Sequence, residues 1–181
     1  MKIKLFKEIM LPEGIEAKID ADILTIKGQN GELSKKLKTG KLDFKIEGNK
    51  ITLGHNKATK NEKKTMNTIV AHIKNMIKGI QEKFEYTLKI CYSHFPFTVS
   101  IEGKTATIKN FLGEKVPRHV KIPDGVEIKS DKEKITITSV NKETAGQAAA
   151  NFETATKTKG GRDKRIFQDG LYIINKAGKE I

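Results

Sequence analysis

A dense group of cations lies near the C-terminus of this 181-residue chain. Two of the three arginines are there, although 32 of the 35 basic residues are lysine. A guanidinium binds phosphate through two parallel hydrogen bonds, and glycine lets the backbone approach a phosphate closely, so this composition predicts contact with a polyanion. Charge alone leaves a solvated flexible tail as the alternative. The group comprises Lys157, Lys159, Arg162, Lys164 and Arg165 around Gly160 and Gly161.

Two further groups of lysines are weaker candidates for the same chemistry. One precedes and enters the first predicted helix, and the other flanks residues 111–113. For the first group a solvated helix surface is the favoured interpretation. The first group is Lys57, Lys60, Lys63 and Lys64, and the second is Lys109 and Lys115.

The overall charge favours a polyanion as partner. The chain has a formal net charge of +13 and 36% hydrophobic residues, which is enough apolar content for a folded protein. The charge is uneven, with +8 over residues 1–94, +1 over residues 95–156 and +4 over residues 157–181. The C-terminal excess is therefore local.

Patterns for catalysis, metal binding and cofactor binding are absent from the sequence. No P-loop, dinucleotide fingerprint, serine nucleophile elbow or zinc-protease motif occurs. The four histidines are scattered, and Cys91 lies in a predicted strand, which favours a buried small side chain. A catalytic pair of carboxylates from distant positions stays open, but nothing requires one. We therefore predict no enzyme activity, no catalytic residue, no metal ligand and no cofactor.

The same composition predicts a reducing compartment. One cysteine cannot form an intramolecular disulfide, so a packed core must stabilise the fold. The first residues contain no apolar run of signal-peptide length, and nowhere do 18 uncharged apolar residues follow one another. We expect a protein that is neither exported by such a signal nor membrane-spanning.

Short matching segments recur along the chain at a nearly constant spacing. Thr-Ile-Lys at residues 25–27 recurs at residues 107–109, and Lys-Ile-Thr at residues 50–52 recurs at residues 134–136. Small loop insertions in a duplicated unit would produce this slow drift, so the sequence predicts two copies of one domain. The predicted copies are residues 1–82 and residues 83–181, the second ending in a basic tail over residues 157–181.

The first copy is predicted to be strands followed by one helix. Apolar and polar residues alternate over residues 17–27, and Asn30-Gly31 is a hairpin turn signal. Another hairpin is predicted from residues 42–46 and 50–53. Five apolar residues at helical spacing predict an amphipathic helix over residues 61–78 that ends at Gly79.

The second copy repeats this order. Strands are predicted at residues 97–101, 104–110, 116–122, 126–128 and 135–138, before a helix over residues 142–156 with a small-residue inner stripe. A connecting strand is predicted over residues 84–92, and Pro96 is predicted to mark the interdomain turn. The predicted class is α+β: two similar tandem domains, each a small, mostly antiparallel sheet packed against one helix.

The C-terminal residues resemble a known family. Residues 162–176 read Arg-Asp-Lys-Arg-Ile-Phe-Gln-Asp-Gly-Leu-Tyr-Ile-Ile-Asn-Lys, similar to the signature of the archaeal and eukaryotic branch of large-subunit ribosomal protein six. Residues 67–79, 92–96 and 110–115 are similar to internal segments of that branch, and internal duplication is also a family trait. The Tyr-Lys-Gly-Lys-Gly tail of the bacterial branch is missing.

The resemblance implies a structural protein of the large ribosomal subunit in the cytoplasm. It implies contact with large-subunit ribosomal RNA near the sarcin–ricin loop and the base of the factor-binding stalk, chiefly through the C-terminal domain and tail. Neighbouring ribosomal proteins are implied partners, and translation factors would pass nearby. Carried onto this sequence, the predicted RNA contacts are Lys157, Lys159, Gly160, Gly161, Arg162, Lys164, Arg165 and Lys176.

Two aromatic residues in the tail have two interpretations each. Phe167 and Tyr172 could stack on RNA bases or anchor the tail to the domain core. Because Phe167, Leu171 and Ile173 would form one apolar face, anchoring is the favoured prediction. 

Two other functions compete with the ribosomal one. A free-standing RNA-binding or regulatory module, for example one acting on messenger RNA, would be found largely outside ribosomal particles. A nuclease using dispersed acids would cleave RNA in a metal-dependent manner.

Overall fold

A computed structural model describes residues 3–158, 163 and 165–181 of the chain. It contains two compact units, Met1–Lys83 and Phe84–Ile181. Each unit has antiparallel strand pairs and one long helix, which confirms the predicted α+β class. Each unit places its strands in two sheets rather than in the single small sheet that we predicted.

The helix of the first unit lies against two three-stranded sheets. The strand orders are β1-β6-β5 and β2-β3-β4, and α1 packs on β1 and β6 of one sheet and on β3 and β4 of the other. The elements are β1 (Ile3–Met10), β2 (Glu16–Asp20), β3 (Ile23–Gly28), β4 (Gly31–Lys36), β5 (Asp43–Glu47), β6 (Lys50–Ala58) and α1 (Lys60–Gln81).

The hairpin of β5 and β6 turns at Gly48, whose φ of 58° suits glycine, and it confirms the predicted pair. The alternating stretch over residues 17–27 forms two strands, β2 and β3, rather than one continuous strand. Ala21, with a φ of 53°, makes the turn between them. Strand β1 was not predicted. A turn of only two residues leaves little interruption in the alternation, which explains the missed hairpin.

Helix α1 extends past the glycine that was predicted to end it. Gly79 lies inside the helix and is buried, and α1 continues to Gln81. The side-chain amide of Asn30 donates to the carbonyl oxygens of Ile80 and Gln81, both at 2.9 Å. Because this distant side chain satisfies the last carbonyl groups, the helix does not need a left-handed glycine to terminate.

The second unit repeats this order and adds two strands. Its sheets are β11-β12-β7-β13-β14 and β10-β9-β8, and α2 packs on β7, β12 and β13 of the first and on β10 of the second. The elements are β7 (Phe84–Cys91), β8 (Thr98–Glu102), β9 (Thr105–Lys109), β10 (Arg118–Lys121), β11 (Glu127–Ser130), β12 (Lys134–Ser139), α2 (Lys142–Ala155), β13 (Gly170–Lys176) and β14 (Lys179–Glu180).

Strand β7 is the middle strand of the five-stranded sheet, so the prediction of a connecting strand is wrong. It pairs with β12 as β1 pairs with β6 in the first unit, which makes it the first strand of the second copy. Pro96 lies between β7 and β8, inside the second unit, so it does not mark an interdomain turn. A buried central strand and a linking strand both read as alternating apolar runs, and only pairing distinguishes them.

The core of the second unit is closed by α2 through small side chains. Ala145, Ala148, Ala149 and Phe152 are each at most 1% exposed, which confirms most of the predicted inner stripe. Asn141 caps the helix by accepting a hydrogen bond from the Glu143 amide at 2.9 Å. Three alanines on one face let the helix axis approach the sheet closely.

The last residues are part of the sheet rather than a free tail. Strand β13 pairs antiparallel with β7 and places Leu171 in the core at 1% exposure, and β14 pairs with the end of β13. From Gly170 onward the predicted basic tail therefore forms strands of the sheet, and the burial of Leu171 agrees with the favoured anchoring of the tail to the core. The apolar alternation of Leu171 and Ile173 provides the burial that holds β13 in place.

Candidate nucleic-acid interface

The basic segment, defined here as residues 157–165, links the end of α2 to the residues before β13. Lys157, Asp163 and Arg165 are described by the structure, and both cations are exposed. The predicted contacts Lys159, Gly160, Gly161, Arg162 and Lys164 lie outside the described residues.

Arg118 of β10 fixes the point where the basic segment begins. Its Nη1 donates to the carbonyl oxygen of Ala155 at 2.6 Å and to that of Lys157 at 3.5 Å. Its Nε and Nη2 donate to the two carboxylate oxygens of Glu114 at 2.7 and 2.5 Å. The guanidinium also lies 4.4 Å from the centre of the Phe111 ring. Arg118 therefore places a positive charge at the C-terminus of α2, where the helix dipole favours a cation. It also holds the backbone of Lys157.

We expect Arg118→Leu to lower the free energy of unfolding of the chain by about 2 kcal/mol, because Glu114 and the Ala155 carbonyl lose charged hydrogen bonds. Arg118→Lys should recover little of this loss, since an ammonium cannot form the paired contact with Glu114 and reach α2 as well. Urea unfolding measures both variants. An Arg118→Lys variant as stable as the wild type would show that the planar fork is not required.

Thr156 links the residues before the basic segment to the strand that follows it. Its hydroxyl oxygen accepts a hydrogen bond from the Leu171 amide at 2.9 Å, and the hydroxyl lies 3.4 Å from the Phe152 carbonyl oxygen. Thr156 is 2% exposed. The residue directly after α2 is thus bonded to the second residue of β13, so the chain leaves α2 and enters β13 at neighbouring points.

Asp169 anchors the chain just before β13. Its Oδ1 accepts hydrogen bonds from the Ser93 amide at 2.7 Å and from the Ser93 hydroxyl at 2.8 Å, and it lies 3.6 Å from His94 Nδ1. The residue is 1% exposed. Burial acts to raise the pKa of Asp169, but the hydrogen bonds from Ser93 and His94 outweigh it and hold that pKa below its usual value. The carboxylate is therefore ionised at neutral pH.

Arg165 is paired with the acid inside the basic segment. Its Nη2 donates to Asp163 Oδ2 at 2.7 Å, and its amide donates to Asp163 Oδ1 at 2.9 Å. Hydrogen bonding between the two side chains lowers the pKa of Asp163 and raises that of Arg165. The Arg165 side chain is 89% exposed, so solvent screens this ion pair and an incoming phosphate could displace the carboxylate.

Phe167 packs against the core of the second unit and stacks on His94, with ring centres 5.1 Å apart. The Phe167 amide donates to the Asp163 carbonyl oxygen at 2.9 Å. These contacts agree with the predicted anchoring of Phe167. Tyr172, in contrast, is 42% exposed.

The remaining predicted contacts of the second unit lie at different distances from the basic segment. Lys176 is exposed at the opposite end of β13 from Gly170, about 20 Å along the strand, so the structure does not bring it to the segment. Lys109 and Lys115 are exposed on either side of the Phe111–Gly113 turn, in which Phe111 and Leu112 are buried. Lys115 follows Glu114, the partner of Arg118, and so lies close to the start of the segment.

The weaker lysines of the first unit are all exposed. Lys57 lies on β6, and the other three lie in the first turns of α1. This end of α1 is capped by Glu62, which accepts a hydrogen bond from the Thr59 amide at 2.8 Å. Lys64 lines a groove of about 480 Å³ together with three lysines that the sequence did not single out. Those three lysines are Lys35, Lys36 and Lys38.

Comparison with known proteins identifies the family. The model of the ribosomal protein L6 family matches residues 11–83 and again residues 95–164. The chain is 43% identical over 173 residues to the large ribosomal subunit protein uL6 of Methanococcus vannielii, covering 96% of this chain and 94% of the relative. The chain belongs to the ribosomal protein L6 family. It is also 43% identical over 170 residues to the large ribosomal subunit protein uL6 of Methanobrevibacter smithii, covering 94% and 95% of the two chains.

Membership of the L6 family makes this chain a structural, non-enzymatic protein, as predicted. In the part of the chain that the structure describes, no three His, Cys, Asp or Glu side chains group in a way that could hold a metal ion. Among those same residues no helix combines the length and apolar character that crossing a membrane requires. The two matched stretches agree with the predicted duplication.

Sequence reasoning missed the residues that hold the L6 basic segment in place. Arg118 could have been found, since it is the third arginine of a lysine-dominated chain and the bidentate argument used for Arg162 and Arg165 applies to it equally. No local signal marks Asp169, because its partner Ser93 is 76 residues away in the sequence. The role of Thr156 likewise depends on the pairing of β13.

Proposed function

We propose that this chain, a structural constituent of the large ribosomal subunit in the cytoplasm, binds large-subunit ribosomal RNA through its second unit and the basic segment. The observation that carries the proposal is that the segment is fixed on both sides. Arg118 and Thr156 hold its start, and Asp169 and Phe167 hold the residues that follow it. The proposed contacts are Lys157, Lys159, Gly160, Gly161, Arg162, Lys164 and Arg165.

Fixed ends support RNA binding by reducing the entropy lost on association. A free chain of this length would lose backbone and side-chain conformational entropy with every phosphate contact. The hydrogen bond between Thr156 and Leu171 joins the chain on either side of the segment, so part of this entropy is already lost when the protein folds. Each cation that neutralises a phosphate also releases counterions, which supplies affinity without reading a base sequence. Folded RNA is recognised largely by shape and 2′-hydroxyl contacts, for which a charged segment on a rigid unit is suitable.

The position in the subunit is part of the proposal. The similarity of residues 162–176 to the archaeal and eukaryotic signature supports contact near the sarcin–ricin loop and the base of the factor-binding stalk. Translation factors would then pass close to the second unit, and neighbouring ribosomal proteins would contact the rest of the chain. Lys36 and Lys64 of the first unit are exposed and line one groove, so they are suited to contact either kind of partner.

Chemical footprinting of large-subunit ribosomal RNA with the purified chain, repeated across a salt series, tests the proposal. We expect protection confined to one region of the RNA, with a binding constant that falls by about 0.7 to 0.9 logarithmic units per logarithmic unit of salt for each phosphate neutralised. Protection spread evenly over the RNA would indicate non-specific attraction by the net charge. The absence of protection at low salt would favour a function outside the ribosome.

A further inference from the structure

Tyr172 presents an aromatic ring on the surface of the second unit. The ring is 42% exposed, whereas the preceding residue Leu171 is 1% exposed, so the strand turns one side chain inward and the next outward. Gly170 lies on the same face as Tyr172, and a Cβ there would be 3.3 Å from the ring. Because Gly170 has no side chain, the Tyr172 ring has room to lie over it. An exposed aromatic ring held in one position is typical of a contact surface.

Two lysines extend from Tyr172 across the open face of the sheet. Tyr172 pairs with Lys89 of β7, and Lys89 pairs with Lys134 of β12. Directly paired residues of antiparallel strands place their side chains on the same face, and both lysines are exposed. The row Tyr172–Lys89–Lys134 is thus an aromatic ring beside two cations, on the face opposite Leu88 and Leu171.

Three strand residues of this face are acidic, and all lie beyond Lys89 along β7. Glu180 of β14 pairs with Asn175, which pairs with Thr87, two residues from Lys89. Glu85 of β7 and Glu127 of β11 lie in the row that contains Thr138, four residues along β7 from Lys89, or about 13 Å. The open face is therefore basic at the end where β13 begins and where the basic segment rejoins the fold. Charge on this face is complementary to a polyanion that already contacts the segment.

Tyr172 lines two open grooves. One of about 470 Å³ is lined by Tyr92, which is 55% exposed, and by Ser93 and Gln168. The other, of about 330 Å³, is lined by Lys157 and Thr158 and has Glu153 as its acid. On its other side β13 pairs with β14 only at Asn175 and Lys176, so no described strand covers the edge beside Tyr172.

We propose that Tyr172 is a stacking platform for an unpaired base of the ribosomal RNA, with Lys89 and Lys134 contacting the adjoining phosphates. The identity of the partner as RNA rests on the proposed function. A base presents a flat ring that matches Tyr172, and its phosphates match the lysines beside it. Stacking of this kind tolerates any base, because every base has a π-face.

Binding of purified variants to transcribed large-subunit ribosomal RNA, measured across a salt series, tests the platform. Tyr172→Leu should weaken binding roughly fivefold to a hundredfold with an unchanged salt slope, because a ring is lost and no cation is. Tyr172→Phe keeps the ring and should bind within about twofold of the wild type. Replacing both Lys89 and Lys134 by Gln should lower the salt slope by about 0.7 to 0.9 for each lysine.

The outcomes separate this inference from the proposed function. Wild-type protein that fails to bind the RNA would overturn both. A folded Tyr172→Leu variant that binds as the wild type does, alongside a basic-segment variant that does not bind, would overturn the platform alone. A Tyr172→Leu variant that binds RNA normally but fails to enter subunits would assign the face to a neighbouring protein and would equally overturn it. Circular dichroism and urea unfolding establish that each variant is folded.

Discussion

Replacing the five cations of the basic segment by glutamine should abolish incorporation of this chain into large ribosomal subunits and leave its fold intact. The reason is electrostatic: each substitution should remove one of the proposed phosphate contacts and the counterion release that would accompany it. We expect the affinity for ribosomal RNA to fall at least about a hundredfold at physiological salt. The five substituted residues are Lys157, Lys159, Arg162, Lys164 and Arg165.

The fold should survive because the anchoring groups are untouched. Arg118 bonds to the carbonyl oxygens of Ala155 and Lys157, not to the Lys157 side chain. The ion pair of Arg165 with Asp163 is lost, but it is exposed and contributes little to stability. Urea unfolding of the variant should therefore give a free energy close to that of the wild type. Incorporation is measured by mass spectrometry of subunits purified from cells expressing the variant.

A charge-matched variant separates the effect of where the cations lie from the effect of the total charge. Replacing five exposed lysines of the first unit by glutamine also lowers the formal net charge from +13 to +8. This control should enter subunits normally. Equal loss of incorporation in both variants would mean that total charge, rather than the basic segment, determines binding. The control lysines are Lys18, Lys41, Lys45, Lys74 and Lys78.

The second large effect concerns the anchor before β13. Asp169→Asn should lower the free energy of unfolding at neutral pH by about 1 to 3 kcal/mol, because the amide and hydroxyl of Ser93 lose a charged acceptor. Among the described residues Asp169 Oδ2 is buried with no hydrogen-bond partner, so the amide group of asparagine would bury two further donors there. Weakening this anchor should also loosen the residues that follow the basic segment.

Asp169 should also make the free energy of unfolding depend on pH in the acid range. The pKa of Asp169 is lower in the folded chain than the value of about 3.9 for an unperturbed aspartate. Its contribution to stability is therefore fully present above about pH 4 and is lost as the pH falls through the folded pKa. Urea unfolding at a series of pH values from 7 to 2 should show the difference between wild type and Asp169→Asn shrinking below pH 4.

Asp124→Asn provides the matched control for the anchor. Asp124 forms an exposed ion pair with Lys104, and its side chain is 79% exposed. This substitution should change the free energy of unfolding by at most about 0.5 kcal/mol at any of these pH values. If Asp169→Asn behaved like this control, the buried carboxylate would not be a stabilising anchor.

Much of the architecture was determined by short-range patterns. The hairpin at Gly48, the α2 stripe of Ala145 to Phe152 and the repeated Lys-Ile-Thr segments all depend on residues that are neighbours in sequence or recur at a fixed period. Period-2 and period-3.6 alternation reports which face of an element is buried. The α+β class and the duplication could therefore be predicted, and so could the cations proposed to bind RNA.

Long-range pairing decided what these patterns left open. Strand β7 has the same alternation whether it links two domains or lies at the centre of a sheet, and only its pairing with β12 and β13 distinguishes them. Gly79 could end a helix, but Asn30, about 50 residues earlier, caps a later residue instead. Asp169 and Ser93 become partners only when β13 lies beside β7. The chemical nature of the basic segment is a property of composition, whereas its fixed ends depend on hydrogen bonds between residues that only the folded chain brings together.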